Sequence, residues 1–184
     1  MKLILCRHAQ SQDNLKKDSA KVGSNSDLSD FGIEQSKKLA DEFKNLEIDK
    51  IFCSDLKQSF QTAQIISKHL KIPMETFEDL GERRWGVLSN TTWSKVQEIL
   101  SNFSLEERYE FMPEEGESWK MMEKRVLSVI YDIKRMGLNN ILIITHAGSL
   151  RAILPILLED ELSKHQNYHL SNAEYKIIDF QKIF

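Results

Sequence analysis

Residues 2–14 read KLILCRHAQSQDN, and the junction between the apolar half and the polar half decides the fold. Leu3, Ile4, Leu5 and Cys6 make a short unbroken apolar run, as expected of a strand buried on both faces of an α/β sheet. The carboxyl end of such a strand is where open sheets place ligands. There the sequence puts Arg7, His8 and, six residues beyond the histidine, Asn14. Taken alone, the junction fits a polar surface turn as well as an anion site.

Further along the chain, short apolar runs alternate with helical patterns. DKIFCS (49–54), IPMETF (72–77), ILIIT (141–145) and EYKIIDF (174–180) read as strands, with Pro73 tolerable near a strand start or on an edge. A helix capped by Ser29 presents Ile33, Ser36, Ala40 and Phe43 on one face. A second, with Ser54 as its N-cap, carries a stripe of Leu56, Phe60, Ala63, Ile66 and Leu70. A long helix from Ser118 turns Trp119, Met122, Val126, Val129, Ile133 and Met136 inward, and Gly137 follows its end. Another helix begins near Gly148. Residues 9–27 have no apolar period and are expected as a loop over the sheet edge. The pattern predicts a three-layer α/β/α sandwich with a mostly parallel central sheet. One domain spans 1–184, with a small helical cap inserted at about 84–117. The cap holds short helices around Trp93–Leu100 and Leu105–Phe111. Its aromatic residues, Trp85, Trp93, Phe103, Tyr109 and Phe111, are expected to pack it rather than line a pocket.

Bulk composition narrows the function classes. With 184 residues the chain can bury one substantial core, and a net charge of -3 leaves no basic footprint for nucleic acid or a membrane surface. No run is long enough for a signal peptide or a membrane span. Two cysteines, Cys6 and Cys53, close strands, and buried reduced thiols in a cytoplasmic protein are the expected reading. No zinc or EF-hand spacing appears, so no metal and no cofactor are expected. Nothing decides oligomeric state, and a homodimer stays an open option.

The chemistry concentrates where strands hand over to loops. His8 follows the first strand and His146 follows ILIIT. Singly, each is an ordinary structural histidine; together, at strand ends of a parallel sheet, they can converge on one crevice. Arg7 offers a fork of donors for phosphate or carboxylate. Gly148, opening a helix, lets backbone N–H groups approach an anion at the helix's positive end. Glu82, just after the third strand, stands at the same sheet edge and can serve as proton donor to a leaving oxygen. Its local alternative is a solvated pairing with Arg83 or Arg84.

Six segments in order resemble the histidine phosphatase superfamily, the phosphoglycerate-mutase-like family. CRHAQSQDN is similar to its Arg-His-Gly motif, with Ala9 for glycine and Gln10 for glutamate. LSDFGIEQS (28–36), CSDLKQSFQTA (53–63), LGERRWG (80–86), PEEGESW (113–119) and ITHAGSLR (144–151) resemble the motifs that follow, with Ala147 for a glycine. The resemblance implies a metal-independent phosphatase for small phosphorylated substrates. His8 would become a phosphohistidine. Arg7, Asn14 and His146 would hold the phosphoryl oxygens, and Glu82 would act as acid and then base. Ser11, Arg83, Ala147 and Gly148 would complete the substrate-binding set.

One departure stands out. Gln58 occupies the place of a second phosphate-binding arginine, and a neutral amide cannot form the charged fork. A charge-assisted hydrogen bond is worth roughly 1.5–3 kcal/mol, so the loss corresponds to about one to two orders of magnitude in rate. Lys57 is rotated by about 100° on a helix and should face elsewhere, while Arg83 or Arg84 could lean in. Phosphoglycerate mutase-type transfer and a non-catalytic phosphate-ligand binder are the rival readings. Ala9 and Ala147 would be costly only where the backbone needs a positive φ.

Overall fold

The computed structural model describes residues 1–161 and 168–179. Strands β1 (Lys2–Arg7), β2 (Lys50–Cys53), β3 (Met74–Thr76), β4 (Asn140–Thr145) and β5 (Tyr175–Asp179) form one sheet in the order β3-β2-β4-β1-β5. All neighbours run parallel except β5, which is antiparallel to β1. The mostly parallel sandwich expected from the sequence is therefore what forms. The last strand was expected to reach Phe180, which lies outside the described residues.

Alternation explains why the central strands are apolar throughout. Leu3 and Leu5 of β1 and Ile141 and Ile143 of β4 pack on one face; Ile4, Cys6, Leu142 and Ile144 pack on the other. Both faces are covered, so both side-chain sets must be apolar. Helices α1 (Asp30–Phe43) and α2 (Lys57–Leu70) cover the second face. Two short helices, α3 (Trp93–Leu100) and α4 (Leu105–Glu110), lie in the cap. The first face is covered by α5 (Trp119–Arg135) and α6 (Ala147–Leu157). Cys6 and Cys53 both pair with Ile144, from opposite sides of β4. Two strand spacings, about 9.6 Å, separate them, too far for a disulfide. Both thiols are free, and burial pushes both up in pKa.

Ser29 and Ser118 cap α1 and α5 as the sequence predicts, each accepting from a backbone N–H of the first turn. Gly137 follows α5 with φ +71°. The expected inward face of α5 holds at Met122, Val126, Val129 and Ile133, whereas Met136 at its end is exposed.

One expectation about α2 fails and another holds only in part. Ser54 does not cap it: the N-cap is Leu56, whose N–H donates to the Ser54 hydroxyl in the turn before the helix. The expected stripe holds at Ala63 and Ile66, which are buried, and at Leu70, which packs against the same core, but Gln58, Ser59 and Thr62 complete the buried face and Phe60 is exposed. The polar part is satisfied by strand ends and loops: Ser59 Oγ donates to the Ile144 carbonyl at 2.7 Å, and Thr62 Oγ1 accepts from Ala9 N at 3.1 Å. The loop at 9–27 is also more ordered than expected. It holds a 3-10 helix at Asp13–Ser19, and Lys21 bridges to Thr92 of the cap. Val22 packs there with Trp85 and Val96 in a small satellite core.

Candidate active site

The register of β1 against β4 sets the site. Arg7 lies opposite Thr145, so the next residue of each strand, His8 and His146, emerges beside the other. Their ring centroids are 5.1 Å apart and the rings are tilted by 57°. The chain then leaves β1 toward α1 on one face and β4 toward α6 on the other. That divergence opens a crevice at the carboxyl edge. A cleft of about 280 Å³ occupies it, and Arg7, Ser11, Asn14, Gln58, Arg83 and Ala147 line it together with both histidines, Glu82 and Gly148. All ten residues selected from the sequence thus meet in one cleft.

His8 is 5% exposed and His146 1%. Burial first, then the neighbouring His146 and Arg7, push His8 down to about 3; burial, Arg7 and Arg125 push His146 down to about 3. Both rings are therefore neutral at neutral pH. His8 Nδ1 lies 2.7 Å from the Ala9 carbonyl. A carbonyl only accepts, so Nδ1 carries the proton and Nε2 keeps a free lone pair, the arrangement a nucleophile needs. His146 Nε2 and Arg7 Nε are buried with no partner among the described residues. A ligand with oxygen atoms would satisfy such groups. Arg7 Nη1 donates to the Leu170 carbonyl at 2.8 Å, which orients the guanidinium. Asn14 is fixed through its Oδ1, which accepts from Ser11 N at 3.0 Å and Asn172 Nδ2 at 3.0 Å. Its amide nitrogen is then the end turned to a ligand.

Glu82 is not paired with Arg83 or Arg84. Its Oε1 accepts from Arg83 N and its Oε2 from Gly148 N, each at 2.9 Å. The helix N-terminus that was expected to greet a ligand anion instead docks the Glu82 carboxylate. Gly148 is required for that approach, because a Cβ there would stand 2.1 Å from Glu82 Oε1. The Gly148→Ala variant is accordingly expected to turn the carboxylate away. A displacement of that size costs roughly 100-fold in kcat, while the melting temperature stays close to wild type because a side-chain end yields. An unchanged kcat would refute a part for the docked Glu82 carboxylate in turnover.

The segment carrying Glu82 is braced from below. Arg125 donates to the Asp79 and Gly81 carbonyls and pairs with Glu117 at 2.5 Å, in a pair of which only 10% and 6% is exposed. Gly86, at φ +51°, crosses so close to the Glu114 carbonyl that no side chain fits. Arg84 does not lean into the cleft. It pairs with Glu78 and Asp79 on the surface. Arg83 does reach the cleft, but its guanidinium is committed to the Glu117 and Phe111 carbonyls and lies 4.3 Å over the Trp85 ring. Burial pushes it down to about 10, so it stays charged at neutral pH. Lys57 faces Asp27, away from the cleft, as expected. Ala9 and Ala147 both lack a positive φ, so neither alanine strains the backbone.

This geometry agrees with comparisons to known proteins. The model of the histidine phosphatase superfamily (branch 1) matches residues 3–183. The chain belongs to the histidine phosphatase superfamily. Phosphoserine phosphatase 1 of Hydrogenobacter thermophilus is 28% identical over 196 residues, covering 99% of this chain and 88% of the relative. A 6-phosphofructo-2-kinase/fructose-2,6-bisphosphatase 4 of Rattus norvegicus is 31% identical over 162 residues. That match covers 85% of this chain but only 33% of the larger relative. Among solved structures, a mycobacterial glucosyl-3-phosphoglycerate phosphatase superposes with a TM-score of 0.83 at 18% identity, covering 97% of this chain and 90% of the other.

Within this histidine phosphatase fold, three features of the site escape a reading of the sequence. Arg151 lines the cleft with its Nε buried and without a partner among the described residues. It stands one helical turn after Ala147, a spacing that could have placed it on the site face of α6. Lys21 lies in a segment without periodicity and joins the cleft only through its bridge to the cap. Trp85, Trp93 and Trp119 line the cleft as well as packing, and a second cleft of about 520 Å³ continues between them under the cap.

Proposed function

We propose that His8 is the nucleophile through which this protein hydrolyses small phosphate monoesters. Family and relatives make the chain a phosphoric monoester hydrolase of the histidine phosphatase type. The residue roles rest on one observation: a neutral, tautomer-fixed His8 shares a cleft with His146 and with a carboxylate docked on a helix N-terminus. His8 Nε2 attacks phosphorus, the P–O bond to the alcohol breaks, and Glu82, having taken the proton of the ester's bound monoanion, passes it to the departing oxygen. The imidazole gains positive charge as the P–N bond forms, and the Ala9 carbonyl at Nδ1 stabilises it. Arg7, Asn14 and His146 hold the non-bridging oxygens. Water then attacks the phosphohistidine while Glu82 takes its proton, the P–N bond breaks, and phosphate leaves.

The alcohol part of the substrate extends into the second cleft, between the tryptophans and the Arg151 guanidinium. A mutase would need more free cations in the cap; Lys95 is exposed and paired with Glu98. A pure binder has no use for the docked Glu82. Among the described residues no helix is long and apolar enough to cross a membrane. The buried free thiols fit the cytoplasmic setting that belongs to this proposal.

The test is a panel of phosphate esters, including phosphoserine, sugar phosphates and phosphoglycerates, assayed with and without EDTA. Phosphate release that chelator leaves unchanged is expected, with hydrolysis faster than phosphoglycerate interconversion. Release that collapses in EDTA, or interconversion outrunning hydrolysis, overturns the proposal.

A further inference from the structure

We infer that Lys21 supplies the positive charge that Gln58 does not, and that Gln58 holds Lys21 in place. The inference rests on the phosphatase reading above and assigns one further binding residue to its site. Gln58 is 4% exposed and sits where the resemblance places an arginine. Its Nε2 donates to the Ser24 carbonyl at 3.1 Å, and its Oε1 is buried with no partner among the described residues. The side chain therefore brings no charge to the cleft, and its amide is engaged in holding a neighbouring segment.

That segment, Ala20 to Ser24, forms one wall of the cleft. It is fastened along both edges. On the α2 side, Gln58 holds the Ser24 carbonyl and Lys57 N donates to Asn25 Oδ1 at 2.8 Å. On the cap side, Trp93 N donates to the Ala20 carbonyl at 3.0 Å, and Val22 N to the Thr91 carbonyl at 3.0 Å. Lys21 is the cation of this wall. It lines the same cleft as His8, is solvent-accessible, and forms no ion pair among the described residues. On the α2 and Glu82 sides the nearby cations are spent: Lys57 on Asp27, Arg84 on Glu78 and Asp79, and Arg83 on two carbonyls. Arg7 and Arg151 serve the cleft from β1 and α6 and leave the Gln58 side without a charge of its own. A long, flexible ammonium on a tethered wall can reach an anion at the histidines as a point charge. The replacement of a fixed fork by a mobile ammonium predicts weaker but retained phosphate binding.

Binding of inorganic phosphate, read by titration calorimetry, tests this without turnover. Lys21→Met should weaken phosphate about tenfold and lower kcat/KM to match, while Lys21→Arg stays within about threefold of wild type. Gln58→Leu should weaken phosphate to a similar degree. Combined with Lys21→Met it should add little, because both remove one interaction. Gln58→Arg should restore binding in the Lys21→Met background. Wild-type phosphate affinity in Lys21→Met sinks the assignment of Lys21. Fully additive losses in the double variant sink the positioning role of Gln58. A wild-type protein that binds phosphate through Lys21 yet turns over no ester would overturn the phosphatase reading alone.

Discussion

His8→Ala is expected to reduce ester hydrolysis by about 10,000-fold or more, the scale on which removal of a covalent nucleophile acts. No other group can take its place. His146 is 5.1 Å away between ring centroids, but it terminates a different strand and approaches the cleft from another direction. Glu82 is held by two backbone N–H groups. The chemistry gives a second readout. In wild type, mixing with a radiolabelled ester and quenching in base should leave label on the peptide containing His8, in an acid-labile, base-stable linkage. The variant should carry none. Label on another residue, or a variant retaining a sizeable share of the rate, would refute the assignment. The pH dependence follows from burial. A free imidazole loses its lone pair as pH falls through about 6.5, whereas His8 is pushed down to about 3. Its folded pKa lies below the unfolded value, so between these two limits the native ring stays neutral. Single-turnover phosphorylation of His8 should therefore not fall between pH 7 and pH 5 through protonation of the nucleophile.

How much of this was legible in the sequence depends on which force placed each residue. The central strands were legible because burial on both faces demands an unbroken apolar run, which nothing else in the chain imitates. The long helix was legible because Ser118, its inward face and Gly137 agree with one another. The inner face of α2 was legible only at Ala63 and Ile66. Hydrophobic periodicity favours Leu56 and Phe60, but this helix docks against strand ends whose free carbonyls and amides reward Ser59 and Thr62. Partners of that kind come from distant parts of the chain and leave no local pattern. The same limit applies to the site. His8, Glu82 and His146 follow strands, so topology alone suggests that they converge. That Gly148 serves Glu82 rather than the ligand depends on a contact across 66 positions. Lys21 enters the cleft only because the cap is fastened to the loop after β1.

Glu82→Gln is expected to separate the two halves of the mechanism. The amide preserves size and keeps an acceptor oxygen for one of the two backbone donors, Gly148 N or Arg83 N, while its NH2 faces the other, so the fold and phosphate affinity should largely hold. What it cannot do is give a proton to a departing alkoxide. General acid catalysis is worth roughly 100- to 10,000-fold, and the loss should scale with how poor the leaving group is. For an alkyl phosphate such as phosphoserine, the alcohol leaves as a strong base, so the full effect should appear in kcat. For p-nitrophenyl phosphate the leaving oxygen needs little help, and the first step should survive far better. The second step still lacks its base, so labelled phosphohistidine should accumulate on His8 with that substrate. Equal losses for both esters, with no accumulation, would show that Glu82 only braces the cleft and that the proton comes from elsewhere. Glu82→Ala would not discriminate as well, because it also strips the partner from the Gly148 and Arg83 backbone donors. Accumulation in Glu82→Gln and its absence in His8→Ala would together tie the nitrogen that receives the phosphoryl group to the carboxylate that releases it.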